Sequence, residues 1–502
     1  MFKKSLLLLV VISLLGCLTS CMSASDMNSF IEYYPEDSES YLELEEKGFV
    51  ETSENNKVNV SLDSSTAAYS NLRRVIKDGG IVHKDMVNIE QMINYFNYSY
   101  VNDTSEQLTS FLEIGDCPWN ENNKLLSVAI KAKDFELNNN TRNNFVFLLD
   151  VSGSMYSADK LPLMVESFKI LIDSLKDDDR ISIVTYASRE EVLLDGGYGY
   201  EKNKISAIIS DLEAGGATAG SDGIKTAYKL AEKYYIEGGN NRVFLATDGD
   251  FNVGISSIDG LERFIEKKRE SGVYLSLFGF GTGNLHSSTM DTLASAGNGN
   301  YYYIDSILEA RKVFIETLGG TLMTLAKDAK AQVEFNSEIV EKYRVIGYEN
   351  KMLTNEEFDS NETDAGEIGA GHTVICLIEV VLKDDVVITG EDEIVKSTLR
   401  YKDVLDAQLD KEVVTTCNKI TSDSSNDFVF ASAVAEFGLI LRDSKYKADA
   451  SYDSILSRVN NSTFTIDVYK KEFCELVQLM NDRQLAAKAA NFSFSFSSSF
   501  LI

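Results

Sequence analysis

The chain has 502 residues, enough for two or three domains with their own cores, and its 44% hydrophobic and 25% charged residues are those of a globular protein. A formal net charge of −30 argues against a nucleic-acid partner, which needs clustered Lys and Arg, and against docking on anionic lipid by charge.

Met1-Phe2-Lys3-Lys4 and the apolar run Ser5–Leu15 predict an export signal, too short to cross a bilayer as about 20 apolar residues would. Leu14-Leu15-Gly16-Cys17 and Leu18-Thr19-Ser20-Cys21 both resemble the bacterial lipobox, so lipidation is expected at Cys17 or Cys21. Residues 1–21 are thus a lipoprotein signal, and the mature chain is expected to be exported and held at the bacterial cell membrane or envelope by its lipid alone. Residues 22–58 are polar, with acids and no base from Glu32 to Glu46, and read as a flexible linker. Residues 59–142 form an extension with a strand at Asn59–Asp63 and helical spacing over Ala67–Lys77 and Met86–Phe96. Asp85 is placed to cap the second helix. Leu125–Leu137 alternates like a strand that has no local partner.

Phe145–Leu149 reads as a buried parallel strand, and it ends in Asp150-Val151-Ser152-Gly153-Ser154 ahead of a helix over Lys160–Leu175. Open α/β sheets place their ligands at such carboxyl ends. Further strands are predicted at Ile181–Tyr186, Val243–Ala246, Tyr274–Gly279 and Tyr301–Ile304. The helices between them are expected at Gly223–Tyr235, Ser256–Glu270, Ser288–Ala296 and Ser306–Leu325. This alternation over residues 143–325 implies a mainly parallel sheet covered on both faces. The Gly-rich loop Gly215–Gly223 presents Thr218, and the Val243–Ala246 strand runs into Thr247-Asp248-Gly249. Asp150, Ser152, Ser154, Thr218 and Asp248 would then meet at one sheet edge. All are hard oxygen donors suited to Mg²⁺, Mn²⁺ or Ca²⁺. Gly279-Phe280-Gly281-Thr282-Gly283 does not satisfy G-x-G-x-x-G and reads as a tight loop near the same edge.

Beyond Leu325 the period becomes two, with strands at Ala331–Phe335, Tyr343–Tyr348, Thr373–Leu382 and Lys396–Tyr401. Leu125–Leu137 is expected to join them, so that the α/β domain is inserted between strands of one β-sandwich-like domain. Helices follow at Asp427–Arg442, Tyr452–Val459 and Asp467–Ala489, completing a C-terminal domain of residues 326–490, and residues 491–502 read as a frayed tail. Cys117, Cys376, Cys417 and Cys474 show no C-x-x-C and are expected to be free and buried. His83, His286 and His372 lie far apart in sequence, and none belongs to an H-E-x-x-H helix.

The five oxygen donors are similar to the metal-ion-dependent adhesion site of von Willebrand factor type A (VWA) domains. The resemblance extends further. Ala67–Arg74, Ile89–Phe96 and Asp116–Asn120 resemble the N-terminal extension of bacterial VWA-domain lipoproteins of the YfbK type. Ala246–Gly254 and Gly297–Tyr301 resemble their VWA domain, and Tyr343–Asn350 and Asp364–Thr373 their C-terminal domain. The resemblance implies a doubly wound VWA sheet and a divalent cation, most simply Mg²⁺, held by Asp150, Ser152, Ser154, Thr218 and Asp248. It also implies a protein partner that completes the ion's shell with an Asp or Glu carboxylate, and no catalysis. Two other readings are a structural envelope protein whose metal only stabilises loops, and a metal-dependent phosphohydrolase with Asp150 as nucleophile. The latter would need an acid at the position of Ser152, and no nearby Lys is evident.

Overall fold

The β segments of the N-terminal extension are finished by strands far away in sequence. A computed structural model describes residues 39, 41–62, 65–134, 142–216, 222–249, 257–283, 286–317, 324–404, 410–463 and 466–499. The first strands are β1 (Val50–Glu51), β2 (Lys57–Ser61), β3 (Leu108–Asp116) and β4 (Lys124–Ala132). Part of the expected linker therefore belongs to the folded body. Leu44 is buried, β1 pairs with a later strand, and Arg344 has an ion pair with Glu46 at 3.6 Å. Acidic composition misled because Glu39 and Glu46 have basic partners far away in sequence, Arg74 and the buried Arg344. The helix Ala67–Lys77 lies where its spacing predicts and buries Tyr69, Leu72 and Ile76. The next is shorter than expected, Ile89–Asn94, and its cap is Asn88, whose side chain accepts from the Gln91 amide at 3.1 Å. Asp85 lies too far upstream to reach the first turn and accepts instead from the Leu44 amide.

The inserted domain contributes β5 (Asn143–Asp150), β6 (Arg180–Tyr186), β7 (Glu190–Tyr198), β8 (Asn240–Thr247), β9 (Tyr274–Phe280) and β10 (Tyr301–Ile304). They form one sheet in the order β10-β9-β8-β5-β6-β7, parallel except for β7. Side chains alternate between its faces. Phe145, Phe147 and Leu149 pack with Phe168 of the helix Leu161–Ser174, while Val146 and Leu148 pack with Ile224 and Tyr228 of the helix Gly223–Lys233. β7 escaped the sequence reading because Gly196-Gly197 and two leading glutamates hide its alternation. The expected helix Ser306–Leu325 ends early: Ile307–Arg311 passes into a π-helical turn, Lys312–Thr317, and Thr324 already starts a strand.

That strand is β11 (Thr324–Phe335), followed by β12 (Val340–Ile346), β13 (Met352–Leu353), β14 (Gly366–Gly369), β15 (Thr373–Leu382), β16 (Val395–Asp403) and β17 (Asp410–Cys417). Two antiparallel sheets result, β1-β12-β15-β4-β3 and β13-β2-β11-β16-β17, with β14 also on β11. β4 runs against β15 with Leu126 opposite Ile378, and β2 against β11 with Val60 opposite Ala331. The parallel sheet is thus inserted between strands of one sandwich, as expected. β4 is not without a local partner, however, because β3 pairs along its whole length. The facing sides of the two sheets share one core, including Val60, Val128, Ile130, Val333 and Val374.

The other face of the first sheet carries Leu125, Ala129, Ile375 and Leu377. It is covered by Asn426–Leu441, Tyr452–Asn460 and Val468–Ser499 together with the helices of the extension. The last helix continues to Ser499, into the stretch expected as a frayed tail. No Pro or Gly interrupts it. Cys117, Cys376 and Cys417 are buried free thiols and Cys474 is a half-buried one.

One buried cluster ties these layers together. Arg73, on Ala67–Lys77, is fully buried and donates to Asp305, to Glu309 and Glu472 at 2.8 Å each, and to the Tyr95 hydroxyl at 3.0 Å. Asp305 and Glu309 follow β10, while Glu472 lies on Val468–Ser499. The extension, the inserted domain and the C-terminal helix therefore meet on one guanidinium.

Candidate metal centre at the carboxyl edge of the parallel sheet

β5 and β8 are neighbours and parallel, so their carboxyl ends bring Asp150 and Thr247-Asp248 side by side. Asp150, Ser152, Thr247 and Asp248 are all buried, and Ser154 is half-buried. The Asp150 carboxylate is held from behind. Its Oδ1 accepts from the Ser152 amide at 2.9 Å, and its Oδ2 accepts from the Tyr186 hydroxyl at 3.2 Å and the Thr247 hydroxyl at 3.1 Å. Thr247 is oriented in turn by the Gly249 amide at 3.2 Å. Burial pushes the Asp150 carboxyl up to about 6; the amide and hydroxyl of Ser152 counteract the rise, and neighbouring Asp248 adds to it.

The Ser152 and Ser154 hydroxyl oxygens are 2.9 Å apart. Two oxygens on adjacent corners of an Mg²⁺ octahedron, each about 2.1 Å from the ion, lie about 3.0 Å apart. The spacing fits such a pair. Thr218 lies outside the described residues, but the stem of its loop is attached to the Asp150 loop: the Gly215 amide donates to the Val151 carbonyl at 2.9 Å and the Gly153 amide to the Gly216 carbonyl at 3.1 Å. Gly216 takes a φ of +83°, a turn that glycine makes without strain. Four of the five predicted residues are thus brought to one edge. The donors are hydroxyls and two carboxylates, and among the described residues no group of three or more His, Cys, Asp or Glu forms an alternative metal site.

Sequence reasoning missed three residues here. Tyr186 is opposite Asp150 in the β5–β6 register, so its position at the strand end was the available signal. Thr247 stood in the Thr-Asp-Gly string without a role. Lys160 is the third, and it corrects the expectation that no lysine lies nearby: its Nζ is 2.8 Å from Asp248 Oδ2. The Gly279–Gly283 loop does lie close by, since Gly281 packs against the Lys160 stem.

A mainly parallel sheet with Asp-x-Ser-x-Ser after one strand and Thr-Asp-Gly after its neighbour defines a VWA-type protein. Residues 144–315 match the von Willebrand factor type A domain model, residues 35–127 a von Willebrand factor model, and residues 320–482 the model for the C-terminal part of uncharacterized protein YfbK. The chain is 36% identical over 465 residues to uncharacterized protein YfbK of Escherichia coli, covering 88% of this chain and 80% of that protein. The chain belongs to the YfbK family. It is also 25% identical to uncharacterized protein sll0103 of Synechocystis, over 56% of this chain and 67% of that protein. Among solved structures, a von Willebrand factor type A protein from Catenulispora acidiphila covers 76% of this chain and 91% of its own, at 16% identity and a TM-score of 0.42.

Proposed function

We propose that this chain binds a protein partner through a divalent cation, most simply Mg²⁺, at the edge formed by Asp150, Ser152, Ser154, Thr218 and Asp248. The observation that carries this reading is the adjacent hydroxyl pair of Ser152 and Ser154, beside an Asp150 whose oxygens already accept from three donors. In this arrangement Ser152 and Ser154 would ligate the ion directly, and Asp150, Thr218 and Asp248 would hold it directly or through water. The ion supplies a Lewis-acidic centre that a partner's Asp or Glu completes. Ser152, at the position where a phosphohydrolase with Asp150 as nucleophile would need an acid, disfavours that reading.

We further propose that the protein is exported and anchored through lipid on Cys17 or Cys21. Among the described residues no helix is long and apolar enough to cross a membrane.

The test is partner recovery and melting in Mg²⁺ against EDTA. A cation that binds only the folded protein raises stability by about 2.7 kcal/mol at a hundredfold excess over its Kd, and Asp150→Ala should abolish that gain. A partner crosslinked to the wild type in Mg²⁺ should be lost in EDTA and in Asp150→Ala. Equal melting in both media would overturn the metal, and equal recovery in both would leave only a structural ion.

A further inference from the structure

Lys160 immediately precedes the helix Leu161–Ser174, and its ammonium reaches Asp248 Oδ2 at 2.8 Å. Only 9% of the Lys160 side chain is exposed, and none of the Asp248 side chain. The loop after β9 is shaped around the lysine stem. Gly281 has a φ of +77°, and a Cβ there would come within 2.2 Å of Lys160 Cγ. Only glycine leaves room for the stem at this backbone conformation. The loop is fixed in turn by the Tyr303 hydroxyl, which donates to the Gly281 carbonyl at 2.8 Å. Lys160 is therefore packed in place, not a rim side chain free to swing away.

We infer that Lys160 is a built-in cation that sets the charge of the metal centre: it holds Asp248 back from the ion and leaves a bound dication with unneutralised charge for an acidic group of the partner. This rests on the metal reading above. Among the described residues the centre brings together two carboxylates, Asp150 and Asp248, and one ammonium, a sum of one negative charge against the two positive charges of a dication. Without Lys160 the carboxylates would neutralise the ion. The site would then hold metal more tightly and an exogenous carboxylate more weakly, because the attraction between unit charges a few ångströms apart in a buried site is large. Lys160 is a positioning residue, acting on the ion through Asp248.

Mn²⁺ titration of the full-length protein in detergent, followed by the EPR signal of free Mn²⁺, tests the inference. Lys160→Met should bind Mn²⁺ at least about tenfold more tightly than wild type. Lys160→Arg, which keeps the charge, should stay within about threefold of it. Acetate, as the carboxylate probe, should displace Mn²⁺-bound water in the wild type, read by water-proton relaxation, at concentrations that leave Lys160→Met unchanged. If Lys160→Met does not fold, Lys160→Gln keeps a donor to Asp248 without the charge and should also tighten binding. Equal or weaker Mn²⁺ affinity in the uncharged variant, or equal acetate response, overturns the role of Lys160 while the metal reading stands. No Mn²⁺ binding by the wild type overturns both.

Discussion

Two buried charged clusters stand at the carboxyl edge of the same parallel sheet, one after β10 and one after β5, about 14 Å apart by three strand spacings. Around Arg73, three carboxylates and a phenol converge on the guanidinium from three regions of the chain. Lys77 adds a second cation to Glu472, and the Lys312 ammonium lies over the Tyr95 and Tyr469 rings at 4.6 and 4.2 Å. Around Asp150 the described groups are of another kind. Lys160 pairs with Asp248, and a pair of hydroxyls offers lone pairs at the edge. The difference separates a lock from the proposed ligand site. The Arg73 cluster ties three regions of the chain together, whereas the Asp150 cluster lies where parallel strands end and open α/β sheets meet their ligands.

The largest expected effect tests the lock. Arg73→Met leaves Asp305, Glu309 and Glu472 without their common counter-charge and should destabilise the protein by about 3–5 kcal/mol in urea unfolding. Mn²⁺ affinity of the remaining folded molecules should not change. A loss below about 1 kcal/mol would show that the cluster is solvated and is no lock.

A smaller effect applies the same rule to a third cluster. Glu90 is buried next to Glu349, Glu90 Oε2 has no hydrogen-bond partner, and burial, with Glu349 second, raises its carboxyl to about 7. The folded protein therefore holds this proton more tightly than the unfolded chain does. Its contribution to stability is complete below the unfolded value near 4.5 and is lost as pH rises through 7. Glu90→Gln should thus gain about 3 kcal/mol over wild type at pH 8 and little at pH 4, measured by denaturation at both. A constant difference across that range would sink the assignment.

The smallest expected effect concerns independence. With no shared side chain between the lock and the metal edge, Arg73→Met and Asp150→Ala should add to within about 0.5 kcal/mol in a double-mutant cycle in EDTA. A coupling well above that would mean that the two clusters behave as one and would break the comparison.

The sequence by itself determined the local half of this protein. Phe145–Leu149 could only be a doubly buried strand, and Asp150, Ser152, Ser154 and Asp248 sit where parallel strands end, so most of the candidate site was legible from spacing alone. The helix Ala67–Lys77 and the strand Tyr301–Ile304 were likewise readable, because periodicity is a property of neighbours in the chain. Tertiary structure decided what depends on residues far apart. Residues 41–58 looked like linker until partners such as Arg344 were placed against them, β7 was hidden by its glycines, and Lys160 had no visible purpose until Asp248 arrived from 88 positions away. The charge balance among the described residues of the candidate metal edge belongs to the same class. It is a sum over side chains that only folding brings within a few ångströms, and no window along the chain contains its terms.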